Sequence, residues 1–126
     1  MATVSFSKAT RPLPDPLIGN GVIHTFAWAG LGQSDDGAPA EINGNVVDFV
    51  IQAVGDFSGS AAIGFEGSND GTNWGAIDDP AGAAIALGQD ELVSAATIPA
   101  LVRPVVNFGD GSTSIDVVVI VRTAAI

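Results

Sequence analysis

The chain contains no cysteine and only one histidine. The missing cysteines exclude disulfide bonds and thiolate-ligated metal sites. His24 alternates with apolar residues in a stretch that has the pattern of a strand, so we interpret it as a structural residue. One histidine without any cysteine also leaves too few ligands for a zinc site.

Basic side chains are almost as scarce. Four lysines and arginines stand against fourteen acids, which gives a formal net charge of −10. Two of the four, Lys8 and Arg11, lie near the N-terminus. A body this acidic repels phosphate, so the composition argues against nucleic acid and against an anionic membrane surface as partners.

Long hydrophobic runs are missing as well. No apolar run approaches the roughly 18 residues of a membrane helix, and the longest, residues 117–121, has the length of a strand. Residues 1–11 lack the apolar segment of a secretory signal. We therefore expect a soluble protein made in the cytoplasm, which leaves the cell only as part of a released particle.

What is abundant favours strands. Val, Ile, Thr and Gly outnumber the strong helix formers, and a length of 126 residues indicates one domain. Turn signals separate eight or nine short apolar stretches, which predicts an all-β fold. We expect an antiparallel β-sandwich or jelly-roll-like domain, and a β-barrel stays as an alternative. The predicted strands are residues 21–29, 45–54, 60–66, 72–77, 85–87, 92–98, 101–108 and 114–122.

Three of these strands carry further information. Residues 21–29 are apolar on both faces, which predicts a strand buried on both sides or lying at an interface. Pro104 cannot donate to a ladder, so residues 101–108 are predicted to form an edge strand or to carry a bulge. Asp110 and Gly111 then predict a hairpin that joins this strand to residues 114–122.

The first twenty residues differ from the rest. Pro12, Pro14 and Pro16 alternate with other residues and favour extended backbone. Two interpretations stay open, an arm that reaches a partner and a strand packed on its own domain. We separate an extended arm, residues 1–20, from a β-sandwich domain, residues 21–126. Residues 30–44 are rich in turn formers and predict a long loop, which is typical of partner contact.

No stretch has the pattern of an active site. The paired acids lie in predicted loops, where solvated turn residues explain them better than the two carboxylates of a glycosidase. These pairs are Asp35–Asp36, Asp78–Asp79 and Asp90–Glu91. Residues 68–73 lack the late glutamate of an EF-hand, although a calcium site built from separate loops stays open. The glycines match no phosphate-binding pattern. We predict no catalytic, cofactor-binding or metal-binding residues, no cofactor, and no enzyme activity.

Two segments resemble a known group of proteins. Residues 65–74 read Phe-Glu-Gly-Ser-Asn-Asp-Gly-Thr-Asn-Trp, which resembles a hairpin common in small β-sandwich proteins of tailed bacteriophages. Residues 101–106 and 109–113, followed by a Val-rich strand, resemble that group's C-terminal hairpin. A similar turn occurs in discoidin-like carbohydrate- or lipid-binding domains, because Asn-Asp-Gly forms the turn and the tryptophan packs across the strand pair.

The resemblance implies a capsid decoration or cement protein on the virion surface. Its partners would be the major capsid protein and its own copies in a homotrimer, held by contacts from the arm and the long loop. The candidate contact residues are Lys8, Arg11, Leu13, Leu17, Ile18, Asp35 and Asp36. Two alternatives remain, another virion component (tail, neck or fibre) and a carbohydrate-binding module that uses Trp28 or Trp74.

Overall fold

The computed structural model describes residues 2–15 and 19–124, which form two β-sheets packed face to face. The prediction of an all-β sandwich is confirmed. In chain order the strands are β1 (Thr3–Val4), β2 (Phe6–Asp15), β3 (Gly19–Leu31), β4 (Asp36–Gly37), β5 (Ala40–Glu41), β6 (Asn45–Asp56), β7 (Ala62–Ser68), β8 (Gly75–Ala76), β9 (Ala86–Leu87), β10 (Glu91–Ser94), β11 (Leu101–Asn107) and β12 (Ser114–Ala124). One 3₁₀ turn, Ser58–Ser60, lies between β6 and β7.

The five-stranded sheet has the order β10-β6-β12-β3-β2, and every neighbouring pair is antiparallel. β12 lies at its centre and pairs with β6 on one side and with β3 on the other. Its sequence alternates buried residues with half-buried or exposed ones from Ser114 to Val121. β12 therefore turns one face to the core and the other away from it.

The seven-stranded sheet has the order β1-β4-β11-β7-β8, with β5 also on β11 and β9 also on β7. β11 is an interior strand, so an edge strand, the first of the two alternatives for Pro104, is wrong. The second alternative, a bulge, fits only the side of β4 and β5, where the register shifts by one residue between Val105–Asp36 and Val102–Ala40. The far side of β11 is covered by two short strands, with Asp36 of β4 opposite Val105 and Ala40 of β5 opposite Val102. Pro104 lies between those two pairings, where its missing N–H costs no ladder bond.

The predicted hairpin of residues 101–122 is also wrong, because β11 and β12 belong to different sheets. Phe108 and Gly109 have positive φ angles and redirect the chain from one sheet to the other. Thr113 fixes this connection, because its hydroxyl donates to the Ser58 carbonyl at 2.8 Å. The turn itself was predictable, but its role as a crossing between sheets was not.

The core is built around Trp28, which is fully buried. Its ring lies 5.4 Å from the Phe6 ring and 6.4 Å from the Phe65 ring, measured between centroids. Its indole Nε1 donates to the Ala38 carbonyl at 3.1 Å, so the polar atom of this side chain is satisfied inside the core. Trp28 thus ties the five-stranded sheet to the segment between β4 and β5.

The N-terminal segment is extended, as its prolines indicate, but it lies along the domain. β1 runs parallel to β4 in the seven-stranded sheet, and β2 pairs with β3 in the other sheet from Phe6 opposite Trp28 to Asp15 opposite Gly19. Residues 2–15 therefore contribute a strand to each sheet. The β2–β3 pairing runs three residue pairs beyond the last pair of β3 with β12, Val22 opposite Thr123.

Candidate functional site

Lys8 and Arg11, the basic residues of the predicted arm, lie on β2 at the edge of the five-stranded sheet, and both are exposed. Lys8 is on the inner face, with its Nζ 5.4 Å from the centroid of the Phe26 ring. The strand alternation places Arg11 on the opposite, outer face. Leu13 pairs with Gly21 through its backbone, and Leu17 and Ile18 lie outside the described residues.

Asp36 begins β4 in the other sheet, and Asp35 directly precedes it. Asp35 accepts from the Gly32 amide through Oδ2 at 2.8 Å and from the Ala2 amide through Oδ1 at 3.1 Å. Asp36 belongs to β4, where it stands opposite Thr3 and Val105. The expected long loop thus contains two paired strands, and its acids are not brought together with Lys8 and Arg11 in one sheet.

A narrow cleft opens between the sheets beside Lys8. It is lined by Lys8, His24, Phe26, Glu41, Ile42, Asn43 and Val121, with a volume of about 20 Å³. That volume holds roughly one water molecule, whereas small-molecule sites are at least tenfold larger. Burial, and then the nearby Lys8 charge, lower the pKa of His24. Its ring nitrogen is 3.3 Å from the Thr123 hydroxyl, in keeping with a structural role.

The turn after β7 is organised by Asp70. Its Oδ1 accepts from the amides of Thr72 and Asn73, both at 2.8 Å, and its Oδ2 accepts from the Asn73 side chain at 2.8 Å. Ser68 donates to the same carboxylate at 3.0 Å. These bonds hold the pKa of Asp70 well below its usual range. The carboxylate is therefore already committed to the turn.

The tryptophan that follows this turn is paired with a cation. The Arg103 guanidinium lies 4.0 Å from the centroid of the Trp74 ring, and it also binds Glu66 through NH2 at 2.7 Å. One face of Trp74 is thus covered by Arg103. Trp28, the other candidate for stacking on a sugar, is fully buried. At most one face of Trp74 is therefore left for a glycan, and none of Trp28.

The outer face of the five-stranded sheet carries several aliphatic side chains where a solvated face is usually polar. At its centre Val50, Val118 and Ile120 are half-buried, and towards the edge Val54 and Leu92 are 42% and 64% exposed. We call this surface the apolar patch, consisting of Ala27, Val50, Val54, Leu92, Val118 and Ile120. Aliphatic side chains from four neighbouring strands thus share this face, and Gln52 lies among them, between Leu92 and Val118.

The sequence itself contains a signal for the apolar patch. Residues 117–121 are consecutively apolar, and a strand with such a run presents apolar side chains on both faces. In a two-layer sandwich only one face of each sheet meets the core. The second face of such a strand is then a candidate contact surface.

The comparisons with known proteins give no family. Neither the protein-family models, nor the curated proteins, nor the solved structures contain a match to this chain. Within residues 2–15 and 19–124, no three acidic or histidine side chains are grouped so that they could hold a metal ion. The same residues form no helix long and apolar enough to cross a membrane.

Proposed function

We propose that this protein is a structural component of a virion that binds the outside of a tailed-phage capsid and bridges its major capsid protein subunits. The apolar patch is the observation that carries the proposal. Its aliphatic side chains are held on a sheet whose other face is locked into the core by Trp28 and Phe49. A rigid apolar surface of this kind gains free energy when a partner covers it.

The mechanism is adhesion. Covering the apolar patch with a capsid subunit removes apolar area from water at roughly 25 cal/mol per Å². Repetition over a shell multiplies a modest single contact, because neighbouring copies act together. Residues at the margin of the patch include Arg11 and the ion pair of Arg122 with Asp48, whose N···O distance is 3.2 Å. These charges would set orientation more than affinity.

Another virion component, in the tail, neck or fibre, remains the second candidate, because it would use the same rigid fold and the same adhesive face. A carbohydrate-binding module is less well supported. Sugar binding commonly needs an open aromatic face, whereas Trp28 is buried and Arg103 covers one face of Trp74, which leaves at most the other face for stacking. Quenching of tryptophan fluorescence by glycans would reverse this ranking.

The test is co-sedimentation with mature capsids of the phage that encodes the chain, stripped of accessory proteins, with unexpanded shells as the comparison. We expect saturable binding to mature capsids at a fixed ratio to the major capsid protein. Absence of binding to either shell would overturn the proposal and direct the search to tail components.

The apolar patch is tested in the same assay with the double variant Val118→Thr/Ile120→Thr. Threonine keeps the β-branched shape and removes apolar area, so we expect roughly tenfold weaker binding. The matched control is Val105→Thr, a half-buried residue on the outer face of the seven-stranded sheet. If the double variant binds capsids as tightly as the control variant, the apolar patch is not part of the capsid contact. Deleting residues 1–18 is unsuitable, because it removes β2 from the sheet.

A further inference from the structure

The two edges of the five-stranded sheet carry opposite charge. Among the described residues, β2 pairs only with β3, and β10 pairs only with β6. The exposed part of β2 carries Lys8 and Arg11, whereas β10 begins with Glu91 directly after Asp90. Each copy of the protein thus has one basic and one acidic edge on the same sheet.

The prolines of β2 show which of its backbone groups point away from the sheet. In an antiparallel strand, alternate residues direct both N–H and C=O to the same side. Pro12 and Pro14 cannot donate to β3, and their pairing with it has no register shift. The backbone groups at every second residue before them, Phe6, Lys8 and Thr10, therefore also point away from β3. An added strand finds N–H donors at these three residues and none from Pro12 onward.

The outward groups of β10 follow from one hydrogen bond. The Ala95 amide donates to the Phe49 carbonyl at 3.1 Å, so Glu91 and Val93 direct their backbone groups towards β6. Leu92 and Ser94 then direct theirs outward, and the outward edge ends there, because the Ala96 amide donates to the Asp78 carbonyl at 2.9 Å. The side chains of Glu91 and Val93 lie on the inner face of the sheet, and that of Leu92 lies on the outer face, because they stand opposite Ala53, Ile51 and Gln52.

The directions of these backbone groups and side chains allow one way of joining the two edges with both sandwiches on the same side. In a parallel pair, a residue that bonds across the interface lies opposite one that points away. Lys8 points outward and Glu91 inward, and both side chains are on the inner face. They can therefore stand opposite each other in a parallel pair with both sandwiches on the same side of the joint sheet. Antiparallel pairing would place the sandwiches on opposite sides.

Chain direction within the sheet agrees with this choice. Four successive antiparallel steps lead from β10 to β2, so the two edge strands run in the same direction. A rotation about an axis along the strands keeps that direction, and it brings β10 of one copy beside β2 of the next as a parallel pair. Such a head-to-tail contact closes into a ring when the rotation closes.

We propose that copies of this protein join through parallel pairing of β2 in one copy with β10 in the next, in a closed ring. With Lys8 opposite Glu91, the four residues of β10 match Lys8 to Arg11, and Pro12 ends the pairing. Leu92 then lies beside Ala9 on the outer face. Pairing of two β2 edges would bring basic side chains together, and pairing of two β10 edges would bring acidic side chains together. Both are unfavourable because like charges repel.

A single-cysteine experiment tests the contact, because the chain has no cysteine of its own. Ala9→Cys and Leu92→Cys are purified separately, and each is treated with a short bis-maleimide alone and after mixing. We expect covalent dimers in the mixture and none from either variant alone. Dimers from the separate variants, or none from the mixture at about 200 µM protein, would overturn the proposal.

Sedimentation of full-length variants gives a second test. Lys8→Glu and Glu91→Lys should each weaken association about tenfold, and the double reversal should restore it at the wild-type net charge. Thr10→Pro removes an outward N–H and leaves the ladder to β3 intact, so it should abolish association without lowering the unfolding temperature. Assembly of the Thr10→Pro variant like the wild type, or a wild type that stays monomeric, would refute the contact.

Discussion

Gly37 allows β4 to approach the core closely, so we expect the substitution Gly37→Ala to separate the two. A Cβ at this position would lie 2.5 Å from Cδ of Pro104 and 2.6 Å from Nε1 of Trp28. Neither neighbour can move easily, because the proline ring is rigid and the indole is buried and bonded to the Ala38 carbonyl. The strand β4 must therefore shift away from β11.

The expected cost follows from two contributions. Overpacking of a filled core costs about 1–3 kcal/mol, and the loss of one buried hydrogen bond adds about 1 kcal/mol. We therefore expect Gly37→Ala to lower the free energy of unfolding by about 2–4 kcal/mol. For a domain of this length, that corresponds to a decrease in Tm of about 8–16 °C.

Thermal unfolding followed by circular dichroism, together with urea titration, measures both quantities. The matched control is Gly75→Ala in β8, where an added Cβ meets nothing within 4 Å. This variant should be neutral or stabilised by up to about 1 kcal/mol. If the free energies of unfolding of the two variants lie within about 0.5 kcal/mol of each other, the close approach of β4 to Trp28 and Pro104 is refuted.

Two further predictions concern the turn and its tryptophan. Arg103→Lys should lower the free energy of unfolding by about 1 kcal/mol and shift the fluorescence of Trp74 to longer wavelength, because an ammonium does not stack as a planar group; unchanged emission would contradict the stacking. Asp70 has a lowered pKa in the folded state, so its stabilising contribution is present above the ordinary aspartate pKa, about 4, and is lost as the pH falls below it. Urea titrations between about pH 5 and 2 should therefore show a flatter pH dependence for Asp70→Asn, and an unchanged slope would contradict this account.

The strands were predictable where the alternation of apolar residues was clear. Most of β6 and β12 lies inside segments expected from the sequence alone. The hairpin of β7 with β8 was also expected, but its return strand is only Gly75–Ala76 instead of residues 72–77. The shortening has a local cause, because Asp70 accepts the amides of Thr72 and Asn73 and keeps them in the turn.

The choice of partner strand was not predictable, because turn residues describe only the local path of the chain. Asp110 and Gly111 make a turn, yet the strands on either side of it join different sheets. Pairing of β11 with β7 depends instead on which apolar faces meet across the core. The same reasoning explains Asp35, whose pairing with the amide of Ala2 spans 33 residues.

Only part of the candidate contact surface could be predicted from the sequence. It drew attention to Lys8 and Arg11 through their isolation near the N-terminus, and the structure places both on a sheet edge. It did not reveal that Glu91 lies at the opposite edge of the same sheet. That relation depends on the order of five strands, which no local pattern contains.

The central position of β12 affects the order in which the five-stranded sheet can form. Of the five strands in its sheet, β12 leaves the ribosome last, yet β3 and β6 have no ladder between them until it is inserted. Without β12, the pairs β2–β3 and β6–β10 are not joined to each other, and we expect their non-local pairing with β12 to be the slow part of folding. We therefore expect the apolar patch, whose residues lie on β3, β6, β10 and β12, to be assembled only once β12 has been inserted.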